Sequence, residues 1–194
     1  MNFEKIKSVL KNKTVGIAGI GGLGSNCAVA LLRVGIGKLV LADYDIIEES
    51  NLNRQFYFIH QIGMKKTKAI ENNLRLINPA ADLEIYDVIL TAEKIPDIFK
   101  DCDVIVEAFD KADQKQMLIE TVLSEMPAKP LVCGLGMAGY GASNDIKMES
   151  NGNLYICGDQ YSEVNDNLPP IAPRVGIVSN MQANTVLEIL LKNH

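Results

Sequence analysis

Hydrophobic and polar positions follow two different rhythms along this chain. Short stretches that are apolar at nearly every position recur at 14–18, 38–42, 104–108, 130–134 and 154–157. Runs of this length with no polar face suit strands buried on both sides of a sheet. Between them the apolar residues fall at helical spacing. Cys27, Ala28, Leu31, Leu32 and Val34 form one band, stopped by Gly35 and Gly37. Ala69, Ile70, Leu74 and Ile77 form a second, ended by Asn78-Pro79, and Met117, Leu118, Thr121, Val122 and Met126 a third. Met181, Val186, Leu187 and Leu190 mark a closing helix over 180–191. Strands alternating with helices predict an α/β fold, a mostly parallel sheet covered on both faces. Residues 139–152, rich in Gly, Ser and Asn, predict an irregular or hairpin region and antiparallel pairing toward the C-terminal part. The polar, proline-containing stretch 158–173 is expected to be a mobile loop.

The junction after the first strand carries the chemistry. Gly19-Ile20-Gly21-Gly22-Leu23-Gly24-Ser25 satisfies G-x-G-x-x-G between a predicted strand and a predicted helix. In that setting the first Gly allows a tight turn, the second lets backbone approach a phosphate, and the third packs helix on strand. Free N–H groups at the helix start make an anion site. The fold class is therefore Rossmann-like. Asp43 ends the next strand, where a carboxylate accepts from ribose hydroxyls. A dehydrogenase and an ATP-binding protein would both use it so. The block Glu48-Glu49-Ser50-Asn51-Leu52-Asn53-Arg54-Gln55 and then Lys66 add cations, which is what a transferring phosphoryl group needs. Lys65 and Lys68 read as solvated surface. Asp110, just past the fourth run, lands on the same sheet edge, where it also suits a helix cap.

These residues resemble the ubiquitin-activating-enzyme-like superfamily, and within it the short ThiF-type sulfur-carrier-protein adenylyltransferases of thiamine biosynthesis. The likeness covers nearly the whole chain. It rests on the loop from Gly19 to Ser25, Asp43-Tyr44-Asp45, Ser50-Asn51-Leu52-Asn53-Arg54-Gln55, Lys66 three residues past Gly63, Asn78-Pro79, Asp110, and Ala172-Pro173-Arg174-Val175-Gly176. The resemblance implies that Gly19, Gly21, Gly22 and Gly24 hold ATP, with Asp43 on the ribose. It implies Asn51, Arg54 and Lys66 on the phosphates, Gln55 beside them and Asp110 on Mg²⁺. It also implies a partner, a small ubiquitin-like carrier ending in Gly-Gly, and a homodimer. Two departures stand out. Longer relatives carry two C-x-x-C pairs, and here Cys27, Cys102, Cys133 and Cys157 form none, so no zinc is expected. Relatives also receive an Arg from a partner subunit, whereas the first thirteen residues here contain only lysines as cations.

Composition narrows the setting. At 194 residues, 47% hydrophobic, the chain suffices for one domain spanning 1–194. The N-terminus lacks a secretory core and no apolar run reaches the ~18 residues of a membrane span, so the cytoplasm is the expected location. A net charge of −5 argues against a nucleic-acid partner. Scattered cysteines fit reduced thiols. Cys157 and Cys133 are the candidates for a covalent or sulfur-transfer role, against the plainer reading of each as a buried thiol. His60 is expected to pack locally, and His194 is terminal.

The implied reaction needs no catalytic histidine, because a terminal carboxylate with a pKa of about 3.5 is already ionised. It would attack the α-phosphorus of ATP, release pyrophosphate and form an acyl-adenylate, with Arg54, Lys66 and Asp110-held Mg²⁺ screening the repulsion. Two other readings share the motifs: an NAD-dependent oxidoreductase, and a non-catalytic module that docks a ubiquitin-like protein.

Overall fold

The computed structural model describes residues 1–192, so His194 lies outside the described residues. Its elements are α1 (Phe3–Leu10), β1 (Thr14–Ala18), α2 (Gly22–Arg33), β2 (Lys38–Asp43), α3 (Lys66–Ile77), β3 (Asp82–Asp87) and α4 (Lys94–Phe99). They continue with β4 (Val104–Glu107), α5 (Ala112–Glu125), β5 (Leu131–Gly134), β6 (Lys147–Asn151), β7 (Leu154–Gly158) and α6 (Ala172–Leu191). All seven strands form one Rossmann-like sheet in the order β3-β2-β1-β4-β5-β7-β6. Every neighbouring pair is parallel except β6 with β7, which makes the antiparallel edge expected from the Gly- and Asn-rich stretch before it.

The unbroken apolar runs follow from cover on both faces. Along β1, Val15 and Ile17 join a core built with α2, α3 and α6, while Ala18 joins a second core with Ile95 and Phe99 of α4 and Leu118 and Val122 of α5. Gly16 faces that second core because nothing larger fits. A Cβ there would stand 2.5 Å from the Phe99 ring. Leu39 and Leu41 against Val40 and Ala42, and Val104 and Val106 against Ile105, split the same way. Fully burying one such side chain stabilises the fold by about 1.5–3 kcal/mol.

Four elements have weak or shifted sequence signals. The short helices α1 and α4 and the edge strand β3 carry no strong apolar run; β3 shows none of its residues fully buried. The last helix begins at Ala172, eight residues before the apolar band that announces it, with Pro at its first turn, where its missing N–H costs nothing. No helix among the described residues is long and apolar enough to cross a membrane.

The chain reverses its winding between β1 and β4, the switch point at which ligands of doubly wound sheets bind. The glycine loop sits there. Gly19 has φ +86°, a left-handed turn that favours Gly. A methyl on Gly24 would lie 1.9 Å from the Gly19 carbonyl oxygen, so this Gly exists for close packing. Gly24→Ala is therefore expected to cost about 1–3 kcal/mol by overpacking, read as a lower urea midpoint at unchanged m-value.

Candidate active site

A cavity of about 700 Å³ opens at this switch point. Its floor is the start of α2, whose cap, Gly21, offers no side-chain partner for the first helical N–H groups. Two α2 side chains stitch the next segment onto the loop. Asn26 Nδ2 donates to the carbonyls of Gly22 at 2.7 Å and Arg54 at 2.9 Å, and Ser25 Oγ accepts the Phe56 N–H at 2.9 Å. The Tyr57 hydroxyl donates to the Ile20 carbonyl at 2.8 Å. Arg54 and Gln55 thereby arrive at the glycine loop although thirty residues separate them in sequence.

Asp43 is buried and binds the loop before any ligand does. Its Oδ2 accepts the Ile20 N–H at 2.7 Å, and Oδ1 accepts those of Tyr44 and Asp45 at 2.7 and 2.8 Å. Oδ2 keeps a lone pair for a further donor. Lys66 is the first residue of α3 and is buried, with its Nζ 2.7 Å from Asp45 Oδ2 and its own N–H on the Asp45 carbonyl at 2.9 Å. Arg54 Nη1 donates to the Ser50 carbonyl at 3.0 Å and to Asn53 Oδ1 at 2.8 Å. Partial burial pulls the guanidinium pKa down, and the charge of Asp110, which lines the same cavity, offsets some of that. Gln55 Oε1 is buried with no hydrogen-bond partner in the protein, an acceptor left for a ligand. Lys65 and Lys68, read as surface, pair with Asp87 and Glu71 and are more than half exposed.

The structure thus brings Gly19, Gly21, Gly22, Asp43, Arg54, Gln55, Lys66 and Asp110 to one cavity. It leaves two expected contacts outside. Gly24 packs under the loop, and Asn51 folds inward, its Oδ1 accepting the Glu48 N–H at 3.1 Å to cap a short turn. Neither residue lines the cavity.

The structure agrees with the plainer of the two cysteine readings. Cys133 and Cys157 are buried side chains of β5 and β7 and neither lines the cavity. Burial pushes the Cys157 thiol up to about 11, despite its bond to Thr185, and pushes Cys133 up as well. A thiol so raised is a poor nucleophile at neutral pH. In native buffer iodoacetamide is expected to modify neither, with both reacting fully in denaturant; rapid native labelling detected by mass spectrometry would reverse this.

Several wall residues were not foreseen. Glu107 and Lys115 form a buried ion pair, and Lys115 lines the cavity. The signal was there, since Glu107 interrupts an apolar run. Ser162, Glu163, Val164 and Pro170 also line the cavity, so the loop after β7 contributes to its wall. It is braced at its base: the buried Arg174 guanidinium bonds to Asp159 and to the Gly141 carbonyl. Asp159 Oδ1 also accepts the N–H groups of Tyr161 and Ser162 at 2.9 and 2.8 Å.

Among the described residues no group of three or more His, Cys, Asp or Glu side chains is arranged to hold a metal ion. Magnesium travelling with a nucleotide needs only one or two carboxylates, the phosphates and waters supplying the rest. Asp110, an exposed carboxylate on the cavity wall near Arg54, fits that requirement.

A cavity at the switch point of a Rossmann-like sheet, lined by cations and carboxylates and fronted by free helix N–H groups, defines a candidate nucleotide-binding α/β protein. The chain belongs to the ThiF family, which it matches over residues 3–194. It is 46% identical over 90 residues to the ubiquitin-like modifier-activating enzyme 5 of Xenopus laevis, covering 46% of this chain and 22% of that one. It is 30% identical over 192 residues to the adenylyltransferase and sulfurtransferase MOCS3 of Dictyostelium discoideum, covering 95% and 44%. The chain spans about a fifth to a half of the length of the curated relatives it matches. The crystal structure of E. coli tRNA N6-threonylcarbamoyladenosine dehydratase, TcdA, in complex with ATP superposes with a TM-score of 0.87 at 20% identity, covering 98% of this chain and 90% of that one, and so shares the fold.

Proposed function

We propose that this protein uses Mg·ATP to adenylylate the C-terminal carboxylate of a small ubiquitin-like sulfur-carrier protein of the ThiS type, releasing pyrophosphate for thiamine biosynthesis. The observation that carries the reading is the gathering of Arg54, Lys66 and Asp110 around unbonded α2 N–H groups in one cavity. In an NAD-dependent oxidoreductase Arg54, Lys66 and Asp110 together have no natural assignment, and no proton donor is evident for a hydroxy substrate. Relatives named as activating enzymes and as an adenylyltransferase support the same chemistry. The same family reading makes a homodimer the working unit.

Each residue then has a task. Asp43 accepts a ribose hydroxyl on its remaining lone pair. The α2 N–H groups, Arg54 and Lys66 hold phosphate oxygens, and Lys66 exchanges Asp45 for them. Gln55 offers its free Oε1 to a donor of the bound ligand. Asp110 would hold the magnesium ion, which when bound supplies charge neutralisation on the phosphates. The carrier's carboxylate forms its bond to the α-phosphorus as the bond to the β-phosphate oxygen breaks, and pyrophosphate leaves with that electron pair. The side chains screen the approach of two anions, and the loop over 158–173 keeps water from the acyl-adenylate.

Exchange of radiolabelled pyrophosphate into ATP tests the proposal. It should require a carrier ending in Gly-Gly and should vanish when the tail is amidated. Exchange that is absent with ThiS-type carriers present, alongside intact ATP binding, overturns it.

A further inference from the structure

One charged pair in the cavity wall has no task in the reaction just described. Glu107 ends β4 with its side chain fully buried, facing Lys115 of α5. Each polar atom of the pair meets backbone or its partner. Glu107 Oε1 accepts the Phe109 N–H at 2.8 Å, Oε2 meets Lys115 Nζ, and Nζ also donates to the Gly134 carbonyl at 2.9 Å. Behind them Gln182 Nε2 donates to the Glu107 carbonyl at 2.8 Å. One carboxylate therefore fixes the turn that leaves β4, the start of α5 and the end of β5 relative to one another.

Stability alone gives no reason for this pair. Well-packed apolar side chains of the same volume generally do as well as a buried ion pair, and every other residue of β4 is apolar. What an apolar residue cannot do is accept the Phe109 N–H. That bond fixes the Ala108–Phe109 peptide, one residue before Asp110, whose own side chain stands exposed. We propose that Glu107, held in place by Lys115, is a positioning residue that aims the Asp110 carboxylate at the metal ion of the bound nucleotide. The inference rests on the role given to Asp110 above, and it assigns Lys115 to the wall rather than to the phosphates.

The test is a titration of MgCl₂ into the protein with a fluorescent ATP analogue, read as nucleotide binding, so that turnover is not needed. Absence of any Mg²⁺ effect in the unsubstituted protein would overturn the role of Asp110 itself, before any variant is made. Given that effect, Glu107→Leu/Lys115→Met keeps the buried volume and leaves no unpaired charge. It should raise the half-saturating Mg²⁺ concentration about 10-fold. Nucleotide affinity in EDTA should stay within about twofold of the original, and Lys115→Arg should behave as the unsubstituted protein does. Should the double variant not fold, Glu107→Gln frees Lys115 and weakens the Phe109 bond, and a shift of about threefold in the same direction is expected. An unchanged Mg²⁺ requirement in a folded variant overturns the inference. So does an equal loss of affinity with and without Mg²⁺, which would mark a collapsed wall instead of a misdirected carboxylate.

Discussion

Lys66→Ala should lower ATP–pyrophosphate exchange about 10²- to 10³-fold, the effect of removing one preorganised electrostatic contact from a phosphoryl-transfer site. The fold should survive. Lys66 is buried, but its partner Asp45 is nearly half exposed, so the carboxylate left behind regains water. The buried stem of the lysine is what the variant loses in packing, roughly 1–2 kcal/mol. Circular dichroism melting and exchange, measured on the same sample, separate the two effects. Lys66→Arg should recover only part of the rate, because a planar fork replaces a compact charge at a site shaped for an ammonium. Full exchange in Lys66→Ala would remove this residue from the mechanism and leave the phosphates to Arg54 and the α2 N–H groups.

Arg174→Met should be the most destabilising single change, by about 3–5 kcal/mol, since it strands the buried Asp159 carboxylate without its counter-charge. For a chain of this size that is a fall in melting temperature of about 10 °C. The acid behaviour carries a sign. Burial alone would raise the Asp159 pKa, but the N–H groups of Ser162 and Tyr161, the Ser162 hydroxyl and the Arg174 guanidinium outweigh it and bring it to about 2. A carboxylate depressed in the folded state stabilises above its ordinary value near 3.9 and loses that contribution as pH falls toward 2. In Arg174→Met part of the depression is gone. The stability gap between the two proteins should therefore narrow between pH 4 and pH 2, as followed by denaturant unfolding. A constant gap would mean that the pair is not what braces the loop.

The sheet was legible because its strands are buried on both sides and so read as solid apolar runs; β1, β2, β4 and β5 needed no tertiary information. Edge strand β3, with Asp82, Glu84 and Asp87 among its residues, did not stand out, because every position keeps some exposure and charged residues dilute the apolar pattern. The glycine loop could be read with each Gly given its task, and Gly24 performs the packing task assigned to it. Arg54, Lys66 and Asp110 were identifiable from the family pattern, and the cavity gathers them. Asn51 was not separable from them, because only coordinates show that its amide turns inward to cap a local turn. Glu107 was visible as the break in an apolar run, but Lys115 sits in a helix that reads as core, and the meaning of the pair depends on a contact eight residues apart across a strand–helix turn. The Asp159–Arg174 pair likewise joins two segments whose proximity no spacing announces.

The loop after β7 is less free than its polar composition suggests. At one end Arg174 grips Asp159. At the other the Pro169 carbonyl accepts the Gly139 N–H at 2.9 Å, the Pro170 carbonyl accepts Asn53 Nδ2 at 3.2 Å, and the Ala172 N–H reaches the Asn53 carbonyl at 3.1 Å. Between these two anchors the chain closes on itself, Asn165 and Leu168 exchanging backbone hydrogen bonds, with the Leu168 side chain against Gly139. Under the proposed function, entry of the carrier's tail would then ask for a local shift of these few residues and not for release of the whole segment.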